Sequence, residues 1–242
     1  MKHKDISFYD NWAKQQLKDD NRISILEWKA HNIYNLIQKA NINIKSVLEV
    51  GCAEGVLLNY LQNKMPAIQF YGIDISEVFI NIAKSNYPLI IFQPISHTLF
   101  FKTQDVDLVI LSDITEHVED DDLFIQQIIP YTKYIAFKFP IELCYLTESN
   151  ILNFLRRLLG RESKKQSYGV HHINRHLRGY TSKTARRCLK RNNLEIMTDR
   201  IATVSQFYGN NFIANVLEKL NLKLAVAYRG GAYFALAKKN FK

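Results

Sequence analysis

The segment Val47-Leu-Glu-Val-Gly-Cys-Ala-Glu-Gly55 constrains this chain more than any other. An apolar run, Ser46–Val50, leads straight into Gly51, and a helix-like stretch, Val56–Lys64, follows Gly55. Gly51 allows a tight turn after a strand. Ala53 and Gly55 keep side chains small where a ligand must lie against backbone. Asp74 comes 23 residues after Gly51, at the end of a second apolar run, Ile68–Asp74. An acid at that spacing accepts hydrogen bonds from ribose hydroxyls in doubly wound folds. The expectation is an α/β fold with a nucleoside at its first strand–loop–helix junction.

The rest of the chain extends the alternation. Residues 8–40 read as helical, with Phe8, Trp12, Ile25, Trp28, Ile33, Leu36 and Ile37 at mixed three- and four-residue spacing. Ser76–Asn86 reads as a helix opened by a Ser cap, Leu89–Phe92 as a short strand and Val106–Ser112 as a buried one. Asp120–Pro130 reads as helix and Tyr134–Pro140 as strand, then Thr181–Asn192 as helix and Leu194–Val204 and Gly231–Lys239 as strands. Strands alternating with helices imply βαβ units and a mostly parallel sheet with right-handed crossovers. At 242 residues the chain suits a single domain. Its expected parts are an N-terminal helical cap (1–43), a cofactor-binding half (44–140), a substrate-side insertion (141–180) and C-terminal helix and strands (181–242).

Charge is concentrated rather than spread. The chain carries a net +9, yet between Ile151 and Arg191 twelve Lys and Arg face one acid, Glu162. Such a segment either attracts an anionic partner or is a solvated face. Cys52, Cys144 and Cys188 are widely spaced, no apolar run reaches membrane-spanning length, and the start lacks an apolar signal core. These features give a cytoplasmic expectation.

Two nucleoside cofactors suit a glycine loop followed by a spaced acid. A dinucleotide fingerprint wants a third glycine where Val56 stands, and Glu49 and Glu54 would repel its pyrophosphate. A sulfonium cofactor with a zwitterionic methionine tail tolerates nearby carboxylates. The residues therefore favour it over NAD(P) and an oxidoreductase, with a catalytically silent binding protein as a third reading.

Glu49-Val-Gly-Cys-Ala-Glu-Gly55 resembles the first motif of the class I S-adenosylmethionine (SAM)-dependent methyltransferases, with Ala53 in place of the middle glycine. Tyr71-Gly-Ile-Asp-Ile-Ser76 resembles the second motif, and Asp107–Val118 is similar to the motif of the fourth strand. His176-Leu-Arg-Gly-Tyr-Thr181 looks like a segment of the branch containing the ubiquinone-pathway O-methyltransferases. The resemblance implies a Rossmann-like seven-stranded sheet of order 3-2-1-4-5-7-6. It implies SAM contacts at Glu49, Gly51, Cys52, Ala53, Gly55, Asp74, Ile75, Ser112 and Asp113. Gln93 stands near where the family often carries an acid for the adenine amino group. The N-terminal helices, with Tyr9 and Trp12, either close over the methionine end or simply pack.

Methyl transfer to a hydroxyl needs a group to take its proton, and His117, next to Glu116 after the fourth strand, is the candidate base. Asp113, Glu116 and His117, with His176 or His171 and His172 from the insertion, could instead hold a divalent cation. That reading resembles the small-RNA terminal 2′-O-methyltransferases. The plain alternative is that Glu116 and His117 orient each other or cap a helix. O-methylation of a small acceptor, anionic or lipid-like, ranks first, with peripheral membrane contact through residues 150–165. RNA ranks below it, because aromatics do not interleave with the basic residues.

Overall fold

The computed structural model describes residues 4–17, 21–95, 105–141, 176–203, 216 and 231–240. Cys144, His171, His172 and the segment expected to contact a membrane, 150–165, lie outside them.

Seven strands form one sheet: β1 (Ser46–Val50), β2 (Gln69–Asp74), β3 (Ile91–Pro94), β4 (Val106–Ser112), β5 (Thr132–Ile141), β6 (Leu194–Thr203) and β7 (Gly231–Lys239). Their order is β3-β2-β1-β4-β5-β7-β6, as the family resemblance implies. The first five strands run parallel, and β7 runs antiparallel to both β5 and β6. Among the described residues six α-helices accompany them: α1 (Lys4–Gln16), α2 (Arg22–Ala40), α3 (Val56–Lys64), α4 (Glu77–Asn86), α5 (Asp121–Ile128) and α6 (Ser182–Arg191).

The central strands are apolar on both sides because both sides are covered. Val47, Leu108 and Ile110 meet α2 and α3 through Ile33, Leu36, Leu57, Leu58 and Leu61. Leu48, Val109 and Leu111 point the other way, to Ile125 and Ile128 of α5 and Ala185, Cys188 and Leu189 of α6. A near-continuous apolar strand such as Leu108-Val-Ile-Leu111 is what a doubly covered parallel sheet requires. Among the described residues no helix is long and apolar enough to cross a membrane.

The structure moves some boundaries. The helical stretch expected over 8–40 is two helices, because α1 and α2 pack on different partners: α1 on α4, α2 on α3 and β7. The third strand begins at Ile91 rather than Leu89, which is 82% exposed and outside the ladder. Pro130, which cannot continue a hydrogen-bonded helix, sits in a 3₁₀ turn, Ile129–Tyr131, that ends the helix expected to reach it. β5 runs from Thr132 to Ile141, longer than the apolar run suggested, because it pairs with both β4 and β7.

Candidate active site

In this order strands are added outward on one side of β1 and then, from β4, on the other, so a crevice opens at the carboxyl ends of β1 and β4. There a cleft of about 160 Å³ lies under α1. Its floor is the glycine loop. Gly51 (φ +75°) turns the chain out of β1, and its amide and that of Cys52 donate to the Ile73 carbonyl. A Cβ on Gly51 would stand 3.1 Å from Ile114. Ala53 holds φ +47°, a left-handed conformation that costs a side-chain-bearing residue roughly 1–2 kcal/mol. Its amide is repaid by Asp74.

Asp74 pins this corner of the fold. Its carboxylate accepts the Ala53 amide at 2.8 Å and the Ser76 amide at 2.9 Å, tying the loop after β1 to the end of β2. Burial pushes its pKa up to about 6, against the pull of those two amides. Ser76 caps α4 and also donates to Asp10 of α1 at 2.5 Å. A second clasp joins the N-terminal arm to the loop: Arg22 grips Glu54 with Nε and Nη2, at 2.5 and 2.7 Å. The Arg22 guanidinium also covers the rings of Trp12 and Phe79, which meet edge to face at 6.1 Å. Trp12 and Tyr9 therefore both pack against their neighbours and line the cleft.

Charge at the other end of the cleft is set by two lysines that no motif marks, Lys29 and Lys138, beside the expected Asp113 and Glu49. Asp113, after β4, is held between Lys29 of α2, at 2.6 Å, and Lys138 of β5. Burial would raise its pKa, but the two ammonium groups outweigh that and hold it well below the usual carboxylate range. Glu49 is buried, and burial pushes its pKa well up while Lys29 pulls it down. Its Oε2 accepts no hydrogen bond among the described residues.

Beyond Asp113 the chain makes a turn that carries Glu116 and His117. His176, far along the sequence, comes to meet them. The Leu177 amide donates to the Glu116 carbonyl at 2.7 Å, and the Arg178 guanidinium donates to the carbonyls of Thr115 and Glu119, each at 2.6 Å. The rings of His117 and His176 then stand edge to face, 4.8 Å between centroids. One ligand atom each from Glu116, His117 and His176 falls within 4.8 Å of the others. Glu116 is fully buried, and neither carboxylate oxygen accepts a hydrogen bond among the described residues. Burial and then the Asp113 carboxylate push its pKa well up, with Lys138 pulling the other way.

Of the residues expected to contact a cofactor, Trp12, Glu49, Gly51, Cys52, Ala53, Asp74, Ile75, Ser112 and Asp113 line the cleft, and His117 lines its rim. Two do not. Gln93 is exposed on the edge strand, because alternation along β3 turns Phe92 inward and Gln93 outward, and Ile95 lines the cleft instead. Gly55 faces Phe92, whose ring would lie 2.6 Å from an added Cβ, so its smallness serves packing. Asp113, beside Glu116 but paired with Lys29 and Lys138, is not among the three residues whose ligand atoms converge.

A model of the methyltransferase domain matches residues 15–199, most of the chain. No curated protein matches the sequence. Among solved structures, magnesium protoporphyrin IX methyltransferase from Synechocystis PCC 6803, crystallised with S-adenosylhomocysteine (SAH), superposes with a TM-score of 0.59 at 16% identity, over 97% of this chain and 95% of that one. The [4+2]-cyclase SpnF gives a TM-score of 0.59 at 16% identity, over 88% of this chain and 82% of its own. The plantazolicin methyltransferase BpumL, in complex with SAH, gives 0.51 at 17%, over 98% and 97%. These likenesses are likenesses of fold. Taken with the domain match, they place this sheet among the Rossmann-like class I methyltransferases, and the chain belongs to the methyltransferase domain family.

Proposed function

We propose that this enzyme transfers the methyl group of SAM to an oxygen of a small acceptor, with SAM in the switch-point cleft and the acceptor at the His117–His176 rim. The same fold serves a [4+2]-cyclase, so the fold alone assigns no reaction. The observation that carries the reading is the meeting of Glu116, His117 and His176 beside a cleft whose backbone is tied down by Asp74.

Bound SAM supplies a methyl carbon already activated on a sulfonium, which leaves the protein to position the acceptor and take its proton. Asp74 has a lone pair left on each oxygen beyond the amides of Ala53 and Ser76, enough to receive two ribose hydroxyls. Ile75 and Ile95 give an apolar seat for a base. Glu49, with one oxygen that accepts no hydrogen bond among the described residues, and Lys29 offer opposite charges to a zwitterionic tail. Tyr9 and Trp12 exclude water from above. His117, on the rim, takes the acceptor's proton.

The donor set also fits a divalent cation: one carboxylate whose buried oxygens accept no hydrogen bond among the described residues, and two imidazoles within reach of it. Glu116, His117 and His176 would hold such an ion, which lowers the pKa of a hydroxyl bound to it. SAH in the cited neighbours and the domain match support the cofactor. The concentrated positive charge between residues 151 and 191 supports an anionic acceptor.

The test is incubation with methyl-labelled SAM and a cell extract, followed by identification of the labelled species. An O-methylated small molecule, lost with His117→Ala, is expected. Label on nitrogen, carbon or RNA would sink the acceptor assignment.

A further inference from the structure

Away from the cleft, the solvent face of α6 carries a cluster that methyl transfer does not use. Lys183, Arg186, Arg187, Lys190 and Arg191 are all exposed. Ala185, Cys188 and Leu189 face the core on the opposite side of the same helix. The helix brings the cations together at spacings of three and four, where like charges oppose helix formation by roughly 0.2–0.5 kcal/mol per pair. The fold relieves only part of this. Asp199 pairs with Arg186, and Asp121 and Asp122 with Arg191. Among the described residues no ion pair reaches Lys183, Arg187 or Lys190. A shallow depression of about 420 Å³ is lined by Ser182, Lys183, Arg186, Arg187 and Lys190, none of them shared with the switch-point cleft, and among the described residues the one carboxylate paired with any of them is Asp199, on Arg186.

We propose that this depression is a phosphoryl-binding site. Four cations and a hydroxyl around an open hollow supply donors for several non-bridging oxygens at once. Guanidinium groups match phosphate geometry in bidentate fashion, and ammonium groups add point charge. The site takes a polyphosphate group rather than a single carboxylate, because its charges extend along two helical turns, roughly 10 Å at 1.5 Å per residue. The group can come from a soluble polyphosphate ester or from a phospholipid headgroup. Since the apolar face of α6 is committed to the core, a headgroup would be held by charge alone, without insertion of the helix.

Titration calorimetry with inorganic tripolyphosphate, alongside co-sedimentation with phosphatidylglycerol and with phosphatidylcholine vesicles, tests this on the full chain. The variant combines Lys183→Gln, Arg187→Gln and Lys190→Gln. These exposed positions leave Arg186 and Arg191 with their acids, and a thermal melt checks that the variant folds. Tripolyphosphate should bind the wild type, lose affinity as salt rises, and bind the variant roughly tenfold or more weakly, since one charge-assisted hydrogen bond accounts for about that factor. Variant-sensitive binding to phosphatidylglycerol, but not phosphatidylcholine, vesicles would identify the headgroup as the source. SAH affinity should be unchanged in the variant, so failure here is distinct from failure of the cleft assignment. If neither phosphoryl probe binds, or the variant binds as the wild type does, the proposal is overturned. Should the variant not fold, salt-independent binding of tripolyphosphate to the wild type, or none, overturns it equally.

Discussion

Cofactor affinity should depend on pH through Asp74, with a step that its geometry and burial set. In the free protein this carboxyl titrates near pH 6, because burial penalises its charge more than the Ala53 and Ser76 amides favour it. Two ribose hydroxyls donating to it need the ionised form. If SAH binds that form alone, the apparent dissociation constant rises by one plus the ratio of protonated to ionised carboxyl. That factor is about 11 at pH 5 and close to 1 at pH 7.5. Calorimetric titration with SAH across this range should therefore show affinity falling roughly tenfold as pH drops through 6. Free-protein stability should move the other way. A carboxyl whose folded pKa is raised from 3.8 to about 6 contributes stability below its unfolded pKa and loses it as pH rises through 6, by on the order of 3 kcal/mol. Asp74→Ala removes two charge-assisted hydrogen bonds of about 1.5–3 kcal/mol each, so affinity should fall at least roughly 100-fold and the step should vanish. Level affinity from pH 5 to 7.5, or a step that survives Asp74→Ala, would refute the ribose role.

Further substitutions separate the site's parts. His117→Ala should lower turnover roughly 100-fold or more while SAH affinity stays within a few fold, and full turnover would remove it as proton acceptor. If the Glu116–His117–His176 cluster holds a cation, dialysis against a chelator should suppress turnover and a divalent ion should restore it; indifference to chelator removes the ion. Arg22→Ala leaves Glu54, with a side chain 4% exposed, as a buried unpaired carboxylate. Its expected cost is about 3–5 kcal/mol, read as a lower Tm, and an unchanged Tm would show that the clasp contributes nothing. Gly55→Ala places a Cβ 2.6 Å from Phe92 at φ +83°, so left-handed strain of roughly 1–2 kcal/mol adds to overpacking of roughly 1–3 kcal/mol. A soluble variant melting with the wild type would refute that packing.

What the sequence made legible is what a short stretch of chain dictates by itself. A turn needing φ above zero selects Gly51; an apolar run covered on both sides, such as Leu108–Leu111, selects a central strand; an acid closing β2 lands at the carboxyl edge wherever the loop after β1 points. Gln93 shows where local reading stops. Its place near the end of β3 suggested an adenine contact, but a strand's alternation depends on which neighbour claims the inward position, and Phe92 claims it by filling the space under Gly55 and Gly72. Gly55 was legible as a residue that must be small, yet only the fold shows that a phenyl ring, Phe92, fills the space where a Cβ would stand. His176 posed the harder problem. Nothing between His117 and His176 in the sequence states that they meet, because three hydrogen bonds to main-chain carbonyls of Thr115, Glu116 and Glu119 dock the later segment, and backbone acceptors carry no sequence signature. Lys29 was silent because it is one of two lysines on α2, with nothing local to mark it as the partner of Asp113. Lys138 was missed although a signal was there: an ammonium inside Ala136-Phe-Lys-Phe139, in a strand covered on both faces, demands a buried anion, and Asp113 at the end of the neighbouring strand is that anion. A charge placed where an apolar residue belongs is thus a tertiary contact written locally, and it ties the floor of the site to the sheet beneath it.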